Sequence, residues 1–309
     1  MAARAEMAQR TRTKGDTERR TDLTGYLFVL PFLIAYGLFL VWPVILGLRM
    51  SFFDWSLVGT GTTDFLGLAN YRELFGDPDF WASLWHTILF TLLSTPPLVL
   101  IALGLALLAN RAVPARWFFR LAFFAPYVLP VSTVALIWVW LYQPGFGLIN
   151  SYLVSLGLPE VDWLAGENVA MISVVIVTVW WTLGFNFVLY LAGLQEIPEE
   201  YYEAAAIDGA GSYQQTRYIT IPLLSRTTFL IVVLQILASL VVFDQIYIMN
   251  TSGGLNYTAT RPIIQYIYEQ GFTQYRVGLA AAMSYVFFVM ILVFTIMQFV
   301  LARRRRREA

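Results

Sequence analysis

Residues 203–222 read EAAAIDGAGSYQQTRYITIP. Small residues, charges and glycines stand together there, between two runs that are almost pure hydrocarbon, and the fold turns on why so apolar a chain keeps this piece in water. The 309 residues are 58% hydrophobic and 13% charged, with a mean hydropathy of +0.64. That composition belongs to a membrane protein. A helix needs about 20 apolar residues to cross a hydrocarbon layer of roughly 30 Å. Working outward from the quoted stretch, runs of that length cover residues 23–48, 81–109, 118–142, 169–194, 223–249 and 277–302. Lipid demands internally satisfied backbone, and these runs are too long for barrel strands, so the sequence predicts an all-α membrane protein with six transmembrane helices. Pro96, Pro97, Pro126 and Pro130 are expected to kink or break the second and third spans.

Basic residues set the orientation. Arg4, Arg10, Arg12, Lys14, Arg19 and Arg20 precede the first span, and Arg111, Arg116 and Arg120 follow the second. Arg217 and Arg226 follow the fourth, and residues 303–307 are all arginine. Only Arg49, Arg72, Arg261 and Arg276 fall on the other side. The positive-inside rule puts both termini, and therefore the quoted stretch, in the cytoplasm. The chain divides into a cytoplasmic N-terminal tail (1–22), a six-helix domain (23–302) that includes a cytoplasmic loop at 195–222, and a basic cytoplasmic tail (303–309).

The first 22 residues are charged and lack the apolar core of a removable signal, so the first span is read as a retained anchor. Net charge is zero, which offers nothing to nucleic acid, and the terminal arginines suit the anionic inner leaflet. No cysteine is present, which removes thiolate and disulfide chemistry. The one histidine, His86, is read as an interfacial polar residue. The chain lacks GxxxxGK[ST], HExxH and GxSxG, so no phosphate cradle or hydrolytic signature supports an enzyme. Trp55, Phe65, Tyr71, Phe75, Phe146 and Trp163 fall in the two longer outer loops, as an interfacial layer or as a cap on which a soluble partner rests.

Pro198 suits a first helical position, Glu199 and Glu200 favour the positive end of the helix dipole, and Gly209 is a natural stop, giving a short helix of about ten residues. Ile197, Tyr201 and Ala204 form one narrow apolar strip, with Glu203 and Asp208 near it. Alanines at 204–206 allow a facing surface to come close to the backbone. Gly209 and Gly211 allow a sharp turn before Pro222 leads into the fifth span. Amphipathicity alone would also suit a loop lying at the headgroups.

The spacing Glu203-Ala204-Ala205, three residues, Gly209, nine residues, Ile219, one residue, Ile221-Pro222 resembles the EAA loop of binding-protein-dependent ABC importer permeases. Ile221 replaces the usual leucine, a volume-conserving change. FLGLANYRELF at 65–75, FDQIY at 243–247 and LGFNFVLYLAGLQEIPEEYYEAA from Leu183 resemble segments of the sugar-type permeases, similar to the maltose and glycerol-3-phosphate transporter membrane subunits. These commonly carry Gly-Gly-Pro after the fifth-span motif, whereas Gly253-Gly254 is followed here by Leu255.

The resemblance implies a type I ABC importer permease (MetI-like) fold in the cell membrane. It implies that the short helix seats in a groove of a separate ATPase subunit, with Glu203, Ala204, Ala205, Asp208 and Gly209 as the coupling residues. Its implied partners are a homologous second permease, two ATPase subunits, an extracytoplasmic solute-binding protein and a carbohydrate, a di- or oligosaccharide first. Glycerol 3-phosphate or another small polar solute is the alternative cargo. This chain would bind no cofactor, ATP and Mg being held by the ATPase. The resemblance also aligns Leu183, Gly184 and Phe187 on the fourth span, and Asp244 and Tyr247 on the fifth, with segments that line the pathway.

From the residues alone, polar side chains inside spans must face a cavity or another helix, and Asn186, Gln235, Asp244 and Gln245 are those candidates. Asp244 is placed about five residues, roughly 8 Å, from the outer end of its helix. Asp244 and Tyr247 share a helix face that would offer a carboxylate and an aromatic surface to a sugar. A secondary transporter would be expected to show discontinuous helices, an internal repeat and a buried ion site. A non-transporting scaffold is the third class.

Overall fold

The structure, a computed structural model, describes residues 25–56, 64–110 and 116–308, with side chains through residue 300 except at 116. The N-terminal tail, its basic residues, Arg111 and residue 309 lie outside them. The described chain is almost wholly helical; among the described residues the only β contacts are isolated bridges, Phe53 to Phe65 and Ser56 to Arg276.

The long helices are α1 (Gly25–Met50), α3 (Pro78–Asn110), α7 (Ala170–Gln195) and α14 (Val277–Glu308). Short α2 (Ala69–Gly76) precedes α3. α4 (Arg116–Val128) and α5 (Val131–Tyr142) follow it, and then α6 (Leu148–Ser155). After α7 come α8 (Glu200–Ile207) and α9 (Ser212–Gln215). α10 (Ser225–Leu240), α11 (Asp244–Gly253), α12 (Tyr257–Thr260) and α13 (Ile263–Tyr268) lead back to α14. Among the described residues, five helical stretches are long and apolar enough to cross a membrane, and α4 with α5 supplies a sixth if that bent pair is one span.

The prolines do not act alike. Pro96 and Pro97 sit inside an unbroken α3. Pro130 ends the straight run: α4 and α5 meet at 96°, so the single third span expected over 118–142 is a broken one. Proline disfavours helical backbone in the residue before it, and the Leu129 carbonyl released at the corner is taken by Trp181 Nε1 at 3.2 Å. The fifth span is interrupted too. α10 stops at Leu240 and α11 begins at Asp244 after an irregular turn in which Phe243 has φ −151° and ψ −63°. Asp244 is therefore not near the end of a continuous helix. It opens the ten-residue α11, about 13 Å along the helix axis from Gly253.

Three apolar clusters hold the bundle. Val99, Ala102, Ala106, Phe187, Tyr190 and Ile231 join α3, α7 and α10. Val134, Val139, Val174, Ile246 and Met249 join α5, α7 and α11. Leu74, Phe80, Ile263, Leu279 and Met283 tie α2, α3, α13 and α14. The chain doubles back so that one end of the bundle carries α2, α6, α12 and α13 and the other carries α8 and α9. Helix α1 buries none of its residues against the other described residues and touches α14, where Tyr285 donates its hydroxyl proton to the Val44 carbonyl. Leu255, which stands where the resembled permeases have proline, is buried at 3% exposure, just after Gly254 turns the chain through φ +70°.

Candidate functional site

Two places gather the chemistry. The first is α8. Its N-cap is Glu199, with Glu200 and Glu203 in the first turn, where carboxylates favour the helix dipole. It is two residues shorter than expected because Pro198 lies outside it. Its C-terminus closes with Gly209 N–H on the Ala206 carbonyl (3.0 Å) and Ala210 N–H on the Ala205 carbonyl (2.8 Å), with Gly209 at φ +82°. This is the glycine-terminated stop in which a left-handed residue satisfies the last carbonyls. No residue of α8 is buried; Glu203, Ala204, Asp208 and Gly209 are exposed, and Ala205 is half-buried. Ile207 is 87% exposed. The helix is nonetheless held in place: the Tyr202 hydroxyl lies 3.0 Å from Thr220 Oγ1, and Gln215 Nε2 donates to the Tyr202 and Ala210 carbonyls. Ile197 packs into the α3, α7 and α10 cluster, so the expected apolar strip is split, its Ile197 end anchored and its Tyr201 and Ala204 end free.

The second is a cavity of about 260 Å³ beside the break in the fifth span, lined by residues of α3, α4, α7, α10 and α11. The four in-span candidates Asn186, Gln235, Asp244 and Gln245 all line it. Asn186 Nδ2 donates to Gln235 Oε1 (2.9 Å), Gln235 Nε2 donates to Ser239 Oγ (3.1 Å), and Ser239 Oγ lies 3.2 Å from Ser94 Oγ. Gln245 Nε2 reaches Thr178 Oγ1 at 3.4 Å. Asn186 Oδ1 is buried with no hydrogen-bond partner, a group that costs about 1–3 kcal/mol unless something meets it. Asp244 is exposed; a carboxylate at a helix break within a span must face water or a solute, since hydrocarbon would penalise it. Its place in the first turn of α11 sets it against the positive end of that half-helix. Asp244 is also the only ionisable carboxylate or base among the lining residues.

The residues aligned with the pathway by resemblance separate here. Asp244 lines the cavity; Leu183, Gly184, Phe187 and Tyr247 do not. Phe187 is fully buried and meets Phe123 edge-on at 5.6 Å, with Leu183 packed on the same cluster. Gly184 lets α4 approach: a Cβ there would stand 2.5 Å from the Phe123 carbonyl oxygen and 2.8 Å from Phe124 Cα. Tyr247 lies just beyond the cavity, stacked on Phe243 at 5.1 Å. Thr178, Trp181, Thr182, Phe185 and Ser239 also line the cavity, and neither a charge nor an amide marks them in the sequence. The recurrence of threonine four residues apart in an apolar span was the available signal, because it marks one helix face.

The chain has the fold of an importer permease. Residues 74–307 match the family described as binding-protein-dependent transport system inner membrane component, and the chain belongs to that family. It is 35% identical to the probable ABC transporter permease YurN of Bacillus subtilis over 88% of this chain and 94% of that one. It is 32% identical to the trehalose/maltose transport system permease MalF of Thermococcus litoralis over 91% of this chain and 94% of that one. Among solved structures, a bacterial alginate ABC transporter in complex with an alginate pentasaccharide-bound periplasmic protein superposes with a TM-score of 0.83 at 25% identity, covering 93% of this chain and 96% of that one. The protein is thus a multi-pass membrane permease component of an ABC transport system. Broken helices, expected of a secondary transporter, occur here within that importer fold.

Proposed function

We propose that this chain forms half of the translocation pathway for a carbohydrate delivered by an extracytoplasmic binding protein, and that two ATPase subunits drive it through α8. Both termini and the α8 end face the cytoplasm in this reading, as the distribution of basic residues requires. A homologous second permease completes the pathway, and ATP and Mg are held by the ATPase. The observation that carries the coupling is a short helix, fastened to the bundle at Tyr202, whose Tyr201, Glu203, Ala204 and Ile207 stay exposed among the described residues. Glu203 would meet a basic side chain of the ATPase, with Ala204 and Ala205 permitting close approach. Rigid-body movement of the ATPase pair would then rock the attached spans.

The carbohydrate assignment is supported by the cavity, whose lining combines amides, hydroxyls and aromatic rings. Hydroxyl-rich rings need both hydrogen-bonding groups and apolar faces. Relatives include permeases named for glycerol 3-phosphate, 32% identical. A phosphate would be expected to seek a basic group, and none lines this cavity, so a neutral saccharide fits better. The decisive test is Glu203→Arg combined with Ala204→Trp in the purified complex. Release of the ATPase subunit with loss of uptake is expected; retention with full uptake overturns the reading.

A further inference from the structure

We infer that the chain holds one phospholipid of the leaflet at its α2 end, with the phosphate on Arg72 and an acyl chain in an apolar groove between α3, α10 and α14. The inference needs only the membrane-spanning fold and is independent of the cargo. Leu68, Arg72 and Phe75 stand four and three residues apart, on one face of α2 and its N-cap. All three are exposed, Leu68 at 69% and Phe75 at 53%, while Asn70 and Leu74 on the other side are buried. With Tyr71 they line an open groove of about 710 Å³.

Arg72 is the charge left over here. Glu73 pairs with Arg276 at 2.6 Å, Asp79 pairs with Arg261 at 3.2 Å, and Asp77 accepts the Tyr266 hydroxyl. Among the described residues no ion-pair or hydrogen-bond partner reaches the Arg72 guanidinium. A guanidinium between apolar side chains lays its stem on them and keeps its charge for an anion, and a phosphate can accept two parallel hydrogen bonds from it. The helix that presents it is fixed: Asn70 Nδ2 donates to the Ser51 and Phe53 carbonyls at 2.9 and 3.1 Å, and the Tyr71 hydroxyl lies 2.7 Å from Ser51 Oγ. A site held this way loses little freedom on binding.

Trp81 sets the depth. Its Nε1 donates to the Phe75 carbonyl at 3.1 Å, its ring lies 6.4 Å from that of Phe75, and with Trp85 it stands exposed near the start of α3. Exposed tryptophans at the end of a span mark the headgroup layer. From Trp81 an exposed apolar stripe runs through Trp85 and Ile88 to Leu92 on one face of α3. It covers about 16 Å of helix, close to one leaflet's share, about 15 Å, of the hydrocarbon layer. Ile88 and Leu92 then line a groove of about 260 Å³ with Ile236 and Leu240 of α10 and Phe287 and Met290 of α14. Its one polar side chain, Thr91, gives its hydroxyl proton to the Thr87 carbonyl at 2.9 Å. A groove with no free polar group, joined by an apolar stripe to an unpaired guanidinium, fits an acyl chain and its phosphate.

The test uses the full-length chain in detergent, probed by native mass spectrometry with dioleoylphosphatidylglycerol and, as the phosphate-free counterpart, dioleoylglycerol. One phosphatidylglycerol should be retained per chain, about tenfold more tightly than dioleoylglycerol, the scale of hydrogen bonds to a charged group. Arg72→Gln should abolish that preference, Arg72→Lys should keep part of it, and Ile88→Trp, which fills the groove, should weaken both probes alike. An unchanged preference in Arg72→Gln, or binding indifferent to Ile88→Trp, overturns the site. The unfolding midpoint of delipidated Arg72→Gln should equal the parent's, because the side chain has no partner in the described fold. The chain has no cysteine, so Leu68→Cys can carry a single nitroxide. In liposomes, its collisions with oxygen and with a water-soluble nickel chelate should place it at the headgroup boundary. A fully aqueous label means that α2 serves a soluble partner, and cross-linking of Leu92→Cys to another membrane subunit means that a protein helix fills the groove; either result overturns the lipid.

Discussion

Gly184 and Gly253 show how much depends on what a missing side chain makes room for. At Gly184 the obstructing atoms are the Phe123 carbonyl and Phe124 Cα, which belong to the backbone of α4; at Gly253 they are the methyls of Val139, 2.5 and 3.0 Å from an added Cβ. Both substitutions to alanine are expected to destabilise by about 1–3 kcal/mol through overpacking. Only the second should be relieved by trimming its neighbour. Denaturant unfolding in micelles should show Val139→Ala offsetting part of Gly253→Ala, a coupling read from a double-mutant cycle. No truncation at Phe123 or Phe124 should rescue Gly184→Ala, because backbone cannot be trimmed. Sequence resemblance alone placed Gly184 near the pathway; its role in close packing depends on α4 and α7 meeting, and a linear chain does not disclose that meeting.

At the scale of elements, α8 was legible but for its start: acids in its first turn, alanines after them and a glycine stop stand as expected, while Pro198, expected at the first helical position, falls outside it. These are local rules of helix ends, satisfied by groups within a few residues. Gly209→Val should cost about 1–2 kcal/mol locally, since a β-branched residue is strained at φ +82°. Because α8 buries no residue among the described ones, the proposed coupling predicts that this cost appears as weaker capture of an ATPase subunit in pull-downs, with little change in the unfolding midpoint of the isolated permease. The broken spans were less legible. Four prolines stood as candidates for distortion, and the 96° corner falls at Pro130 while Pro96 and Pro97 pass within a continuous helix. No proline marks the interruption between α10 and α11. It is recognisable from the polar run around Asp244 only after the facing helices are known.

Across the whole molecule, contacts between distant parts of the chain close the end that carries α2 and α13. The Tyr266 hydroxyl donates to Asp77, and Arg261 reaches Ser83, Asp79 and Glu269. Burial, with the hydrogen bond to Asp77 and its negative charge, raises the pKa of Tyr266 above the ordinary tyrosine value; burial and Glu269 raise that of Tyr257. The native state therefore keeps these protons at pH values where the unfolded chain has lost them. Their contribution to stability is complete below about pH 10 and is lost as pH rises beyond it. Unfolding of the solubilised protein between neutral and strongly alkaline pH should show this fall, and Tyr266→Phe should make it shallower.

Composition and local pattern determined that the chain crosses a membrane as helices, roughly where each span lies, and that a glycine-ended helix stands outside the apolar runs. Hydrocarbon thickness, backbone satisfaction and helix-end chemistry act over stretches short enough to read in order. Only the tertiary structure decided which prolines bend a span, where the fifth span opens, and which in-span polar groups share one cavity. Those outcomes depend on close approach between residues far apart in the chain, as Asn186 meets Gln235 and Tyr247 meets Tyr268, and no local rule encodes that approach.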